Sequence, residues 1–474
     1  VASLSSCTEL WQYFLSAGNK LEHDIKGGLN MQSKSPAYES GRKARVDQER
    51  RKVVKLLAAG GASAIASPWL LRPARAAGRT VKIGMVSPQT GPIAAFGEAD
   101  QFVLAGIRKA LAKGVTIAGQ NHPVEIIYKD SQSNPNRASE VAAQLINNDR
   151  VDIMVASSTS DTCNPVSDQC ELNGVPCVTS DDPWQAWFFP RKGDPKKGFD
   201  WTYHFFWGFD MVANLFADMW LTLPTNKTVG TMFTNDPDGV AANDDHHGLP
   251  AAFRAKGFKV VKLGLYPPLS DDFSAQIAEL KKANCEVMCG IFNPPQFATF
   301  WTQCAQQGYR PKIVTPPKAL LFPTAVEALG DRGVGMSTEV WWSQHHPFKS
   351  GLTGETAQQF CDAYTAATGK QWTQPIGFKH ANIEVAVDVL KRAKKLEPGA
   401  IRDAIKDTNY QSLVGPITWK AGGATNPVPN VCTTPLVGGQ WKKGKKFKYD
   451  LHVVYNKTAP NIPLDSSFEP IHYS

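Results

Sequence analysis

The sequence predicts an α/β fold of two doubly wound parallel-sheet lobes, and three observations lead there. From Gly78 onward, short apolar β runs alternate with helical stretches, the pattern of a parallel sheet covered on both faces. The alternation halts at an aromatic stretch, 201–220, and then starts afresh over a similar length, so two such units lie end to end. The chain has 474 residues, 42% hydrophobic and 20% charged, which is length for about two to three domains with apolar side chains to fill real cores. Disordered, collagenous and disulfide-scaffold classes are excluded on the same numbers.

In the first unit the strands fall at 81–86, 124–128, 151–155 and 176–179, and the helices at 99–111, 138–146 and 166–172. Asn134-Pro135 opens the second helix: Asn suits the cap, and Pro lacks an N–H that would find no partner there anyway. In the second unit strands at 228–233, 259–265, 286–292 and 312–315 alternate with helices at 249–256, 273–283 and 297–307. Helices at 355–367, 383–395 and 401–405 follow. After Gly415-Pro416 the chain becomes strand-like, Gly-rich and basic, and no repeat of 20–50 residues appears.

Residues 1–76 are a different kind of sequence. Gln48-Glu49-Arg50-Arg51-Lys52-Val53-Val54-Lys55 is a basic head, 56–71 is free of charge, and Ala74-Arg75-Ala76 is a small-x-small cleavage signal. Head, apolar middle and cleavable end are the parts of an export signal, and the paired arginines resemble a twin-arginine signal. Met31 would place Arg50-Arg51 about twenty residues into a precursor, so the residues before it read as an overextended start. Beyond 1–76 the formal charge falls from +8 to +2, with 39 Lys/Arg against 37 Asp/Glu. That leaves no electrostatic footprint for nucleic acid. No later stretch is apolar for the roughly 20 residues of a bilayer span, so the mature chain is expected not to be membrane-embedded. Eight cysteines remain after Cys7 is set aside, compatible with buried thiols or with one or two disulfides of undetermined pairing.

Catalytic and cofactor motifs are sparse. Gly439 to Lys446 has the glycine and lysine spacing of a phosphate loop but lacks the Ser or Thr that holds magnesium, and reads as a solvated basic hairpin. Asp244-Asp245-His246-His247 reads as a polar helix start, because four consecutive residues do not converge on one ion. The Cys clusters lack paired Cys-x2-Cys spacing. No metal and no cofactor is expected.

In open parallel sheets, ligands bind beyond the carboxyl ends of the strands, where helix N-termini offer N–H groups. The loops to inspect are therefore 87–99, 156–164, 179–189, 234–245, 293–296 and 316–322. VKIGMVSPQTGPIAAFG from Val81 to Gly97 resembles the first strand and binding loop of the branched-chain amino acid binding family, the type I periplasmic solute-binding proteins of ABC transporters. The resemblance continues through Tyr128-Lys129-Asp130-Ser131, Ser160-Asp161-Thr162-Cys163-Asn164-Pro165, Ser270-Asp271-Asp272-Phe273 and Gly415-Pro416-Ile417-Thr418-Trp419.

What the resemblance implies is a three-crossover hinge, with passages near Phe205, 338–341 and 416–419. Lobe 1 would then be 77–205 plus 340–415, and lobe 2 would be 206–339 plus 416–474. A small polar ligand, amino-acid-like or an organic or aromatic acid, is trapped between closing lobes and handed to a membrane permease, without chemistry. A sensor of the same fold, or an exported hydrolase using Asp181, Asp238 or His246, are the alternatives. The resemblance puts Phe96, Ser160, Asp161, Thr162, Ser180 and Asp181 at the ligand from one lobe. Asp236, Asp238 and Asn293 face it from the other. Pro316-Pro317-Lys318 departs from the family, which offers a carboxylate to the ligand ammonium at that loop. Asp181, Asp182 or Asp238 would replace the missing charge, or Lys318 would face an acid. Trp184, Trp187 and Trp207 add aromatic surface that can stack a flat ligand or cage a cation.

Overall fold

A computed structural model describes residues 78–473; the segment expected to be an export signal and the extension before it lie outside the described residues. The larger sheet begins with β1 (Val81–Ser87), which leads through α1 (Asp100–Ala110) and a small hairpin, β2 (Val115–Ile117) and β3 (Gln120–His122), to β4 (Val124–Asp130). Then come α2 (Pro135–Asn147), β5 (Ile153–Ser157), α3 (Ser160–Asn173), β6 (Cys177–Ser180), the short α4 (Trp184–Phe188) and β7 (Thr202–Phe205). With β15 (Val431–Cys432) the strand order is β15-β7-β6-β5-β1-β4, all parallel. After β1 the chain winds first to β4 on one side and then to β5 on the other, so the order reverses between β1 and β5.

The smaller sheet repeats this device. α5 (Phe209–Trp220) leads into β8 (Thr228–Thr234), followed by α6 (Pro237–Ala242), α7 (Leu249–Ala255), β9 (Lys259–Tyr266), α8 (Ser274–Lys282), β10 (Val287–Ile291), α9 (Pro294–Gln306) and β11 (Ile313–Thr315). The parallel order β11-β10-β8-β9 reverses between β8 and β10. After α10 (Pro323–Leu329), β12 (Ser337–Val340) pairs antiparallel with β16 (Val437–Lys443), which pairs with β17 (Tyr449–Tyr455). The basic stretch at 439–446 is therefore the turn end of a hairpin. The fold is thus two doubly wound parallel-sheet lobes, as the alternating pattern predicts.

α2 and α3 cover one face of the larger sheet around Val86, Val141, Met154, Ala156 and Val166, all buried. The other face takes α1 and a long helix, α12 (Pro375–Arg392), which packs on β5 and β6. α11 (Ala357–Thr368) precedes it and α13 (Pro398–Lys406) follows. The cap expected at Asn134 is present: its side chain accepts the Arg137 backbone N–H at 3.0 Å, with Pro135 next. α11 carries a capping box, in which the Thr356 hydroxyl accepts from the Gln359 N–H and the Gln359 side chain accepts from the Thr356 N–H.

Gly415-Pro416 closes a hairpin of β13 (Asn409–Ser412) with β14 (Gly415–Thr418), packed on α12. The chain then stays with the larger sheet through β15 and leaves it only at 433–436. The hairpin turns beside Gly415, whose φ of 115° suits glycine. Asp244 to His247 forms a turn rather than a helix start: the Asp244 side chain accepts the N–H groups of His246 and His247 at 2.9 and 2.7 Å. The eight cysteines from Cys163 to Cys432 are buried free thiols. No helix among the described residues is long and apolar enough to cross a membrane.

Candidate functional site

The carboxyl ends of the two parallel sheets, at their reversal points, meet around one cavity of about 40 Å³. From the larger sheet come Phe96 after β1, Thr159 after β5 and Asp181 after β6; from the smaller come Asp238 after β8, Ile291 ending β10 and Lys318 after β11. Glu339 and Trp341, in and just past β12, and Phe206, Trp207 and Phe209, on the first passage between the sheets, complete the wall.

Lys318 is the cation of this wall. Its ammonium donates to Asp238 Oδ2 at 2.7 Å and to Asp236 Oδ2 at 3.3 Å, and all three side chains are about nine-tenths buried or more. Burial alone would lower the lysine's pKa, but the charges of Asp236, Asp238 and Asp161 outweigh it and hold the ammonium protonated. For Asp238 burial works upward, yet Lys318 and the Ser160 hydrogen bonds hold it ionised, below the usual range. Asp236 also caps α6, accepting the Gly239 N–H at 2.8 Å.

Asp238 reaches across to the other sheet. Its Oδ1 accepts the Ser160 hydroxyl at 2.5 Å, and the Ser160 backbone N–H also bonds this carboxylate. The N-terminus of α3 is thereby capped from outside, while the Thr159 hydroxyl at its own cap position makes no such bond. A second link between the sheets is aromatic: Phe96 meets Phe322 edge-on at 5.0 Å.

Two residues of the wall hold unusual backbone. Asp181 and Lys318 have φ of 69° and 68°, the left-handed region that non-glycine residues rarely enter and that clusters at functional sites. Asp181 Oδ2 accepts the Ser157 hydroxyl at 2.7 Å, and its Oδ1 takes no hydrogen bond among the described residues. Burial pushes the Asp181 carboxyl up to about 7, against the pull of Lys379. Glu339 accepts the Lys318 backbone N–H at 3.1 Å and the Thr338 hydroxyl at 2.7 Å, and burial raises it to about 7.

The indoles divide in an informative way. Trp187, Trp220, Trp301, Trp342, Trp419 and Trp441 each donate their N–H to a protein oxygen at 2.9 to 3.1 Å. Trp207 and Trp341, both on the cavity wall and both buried, do not, and neither does the buried Trp184 off the wall. Buried indole N–H groups normally find partners, so the two on the wall are donors held ready.

Of the residues expected from sequence, Phe96, Asp181, Asp238 and Lys318 line the cavity. Ser160 and Asp236 bond the Asp238–Lys318 pair directly. Asp161, in the first turn of α3, sits close enough to feel Lys318, and burial raises it to about 6. Three stand back. Thr162 turns to the Ser131 hydroxyl at 3.3 Å. Ser180 donates to Ser157 at 3.1 Å and accepts from Asn382, supporting Asp181 from behind. Asn293 sits at the start of α9, off the wall, with its Oδ1 unbonded among the described residues.

Trp184, expected in the pocket, lies instead in an open surface groove with Phe189, Asp210, His246 and His247. Its backbone N–H bonds the Trp207 carbonyl, and its indole is buried against Gly208. Trp187 packs inward, stacked on His204 at 4.9 Å. Sequence reasoning missed Thr159, Phe206, Phe209, Glu339 and Trp341. The doublet Trp341-Trp342 beside a glutamate was the available signal, but no local pattern ties it to the strand ends.

Of the residues named for the hydrolase alternative, Asp181 and Asp238 line the cavity and His246 does not. His246 lies in the surface groove. Ser350, His380 and Glu384 do converge, but the serine donates to the carboxylate at 2.7 Å and lies 2.8 Å from the same His380 Nε2 that faces Glu384. A triad needs serine and carboxylate on opposite ring nitrogens. The group is buried and ties α12 to the loop before α11.

A family model described as periplasmic binding protein matches residues 80–445. The Leu/Ile/Val-binding protein homolog 2 of Brucella abortus (strain 2308) is 22% identical over 383 residues, 78% of this chain and 92% of its own. The leucine-binding protein of Thermotoga maritima superposes with a TM-score of 0.61 at 21% identity, covering 80% of this chain and 99% of its own. A solute-binding protein of an ABC transporter from Rhodopseudomonas palustris BisB5, solved with 3,4-dihydroxybenzoic acid, gives 0.61 at 20% identity, with coverage of 80% and 99%. With the model spanning more than three quarters of its length and the reversal points of two sheets enclosing one cavity, the chain belongs to the periplasmic binding protein family, type I.

Proposed function

We propose that this chain is the exported solute-binding component of an ABC importer, capturing a small polar organic molecule between two lobes and releasing it unchanged to a membrane permease. The observation that carries this reading is the cavity built jointly by the carboxyl ends of both sheets and bridged by Ser160 and Asp238. A solute touching both walls binds the closed arrangement better than an open one, and so shifts the population toward closure. The lobes on this reading are 78–205 with 341–432, and 206–340 with 433–473. Ligand-facing roles fall to Phe96, Asp181, Asp238 and Lys318, with Ser160, Asp161 and Asp236 setting the charge around them. The basic head and apolar stretch before Ala76 support export by the twin-arginine route.

Thermal-shift screening of purified protein against amino acids, organic acids and amines tests the reading, since a ligand of the folded state alone raises its melting point. The expected hit also reduces the radius of gyration in solution scattering and is recovered chemically intact. A converted compound, or a hit that leaves the particle's dimensions unchanged, overturns it. Substituting Arg50 and Arg51 by Lys together is expected to stop export.

A further inference from the structure

We propose, building on the solute-capture reading, that the cleft takes a small organic cation carrying an uncharged oxygen acceptor, an amino alcohol or amino amide on an apolar body, and rejects solutes that bear a carboxylate. Both places where an anion would sit are already taken by the protein. The N-terminus of α3, a helix of 14 residues, gives its Ser160 N–H and hydroxyl to Asp238. Lys318, the one cation on the described cavity wall, spends its ammonium on Asp238 and Asp236. An incoming carboxylate at either place would stand beside the buried Asp238 carboxylate, like charge against like charge.

The rest of the wall is acidic, aromatic and hydrogen-bonding. Asp181 and Glu339 join Asp238 there, three carboxyl groups against one ammonium; Glu339 is engaged by the Lys318 N–H and the Thr338 hydroxyl, and the carboxyl oxygen left over is Asp181 Oδ1, buried without a partner. Lys379, whose charge reaches Asp181, donates to Ser87 at 2.6 Å and pairs with Asp100 at 3.5 Å rather than with Asp181. Phe96, Phe206 and Phe209 add aromatic rings to the wall, whose electron-rich faces attract a cation when water is excluded. The indole N–H groups of Trp207 and Trp341 are donors without acceptors. They call for an oxygen on the ligand, and a neutral hydroxyl or carbonyl supplies it without adding charge beside Asp238.

The test compares matched probes on the purified protein: leucinol, leucinamide, leucine and 4-methylpentanoate, with choline against betaine as a second set, by titration calorimetry. The proposal expects leucinol, leucinamide or choline to bind at least tenfold more tightly than the carboxylate partner of its set. Asp181→Asn, which keeps a residue tolerant of φ 69° and an acceptor for Ser157, is expected to weaken the amine at least tenfold. Glu339→Gln serves as a second variant with a smaller loss. A carboxylate that binds as tightly as its amine overturns the ligand class and leaves solute capture standing. Failure of leucinol, leucinamide and choline alike, or an Asp181→Asn protein that binds them unchanged, overturns the proposal. Should amines, acids and amino acids all fail to bind, solute capture falls with it.

Discussion

Ser160 donates its hydroxyl to Asp238 at 2.5 Å, and this bond joins a helix that starts from the larger sheet to one that starts from the smaller. Asp238 holds Lys318 with its other oxygen, so one carboxylate ties a helix N-terminus, a lysine and two sheets together. Breaking a buried charge pair by removing one partner costs about 3–5 kcal/mol, and Asp236 retains part of it here. Asp238→Ala is expected to lower stability by about 2–4 kcal/mol in denaturant titration. In the absence of ligand it is also expected to enlarge the radius of gyration. Unchanged dimensions would show that this bond does not hold the sheets together.

Glu339 gives a pH signature that a single substitution isolates. Burial raises its carboxyl to about 7, above the usual carboxylate range, so the folded state holds the proton more tightly than the unfolded chain. Its contribution to stability is full below about pH 4.3 and is lost as pH rises through about 7. Glu339→Gln does not titrate there. The stability difference, variant minus wild type, is expected to grow by about 3 kcal/mol between pH 4.5 and 7.5, as read from melts at several pH values. A flat difference would contradict a buried, protonated Glu339.

Asn134 caps α2 away from any site. Asn134→Ala is expected to cost about 1 kcal/mol in chemical denaturation without altering ligand affinity.

Gly377 lies in α12 directly against the Trp342 indole, where an added Cβ would stand 2.3 Å from the ring. Alanine favours a helix interior by about 1 kcal/mol over glycine, but overpacking a fixed indole costs about 1–3 kcal/mol. Trp342 cannot swing aside cheaply, since its N–H is bonded to the Leu413 carbonyl at 3.1 Å. Gly377→Ala is expected to be destabilising by denaturant titration; a stabilised variant would show that the indole moves.

The two-sheet architecture was legible because strand and helix periods alternate in order, and a cap such as Asn134-Pro135 announces itself within two residues. α12 was read as starting at 383 rather than Pro375 because its first two turns bury Lys379 and His380 along with Phe378, which erases the amphipathic period. The site was legible where it follows a strand end, as at Phe96, Asp181, Asp238 and Lys318. Glu339 and Trp341 escaped because β12 is placed by pairing with β16, a hundred residues on, and no local signal carries that register. Trp184 has the sequence neighbours of a binding loop, but the short α4 buries its indole beside a groove off the cavity.

The left-handed backbone at Asp181 and Lys318 also limits how this cleft can be re-engineered. Only glycine, asparagine and aspartate enter that region readily, and β-branched or bulky replacements would fight the main chain before meeting any cargo. A designer wishing to change what is carried has little vocabulary at those two positions. The freer letters lie at Glu339, Trp207 and Phe209, whose φ values are not left-handed.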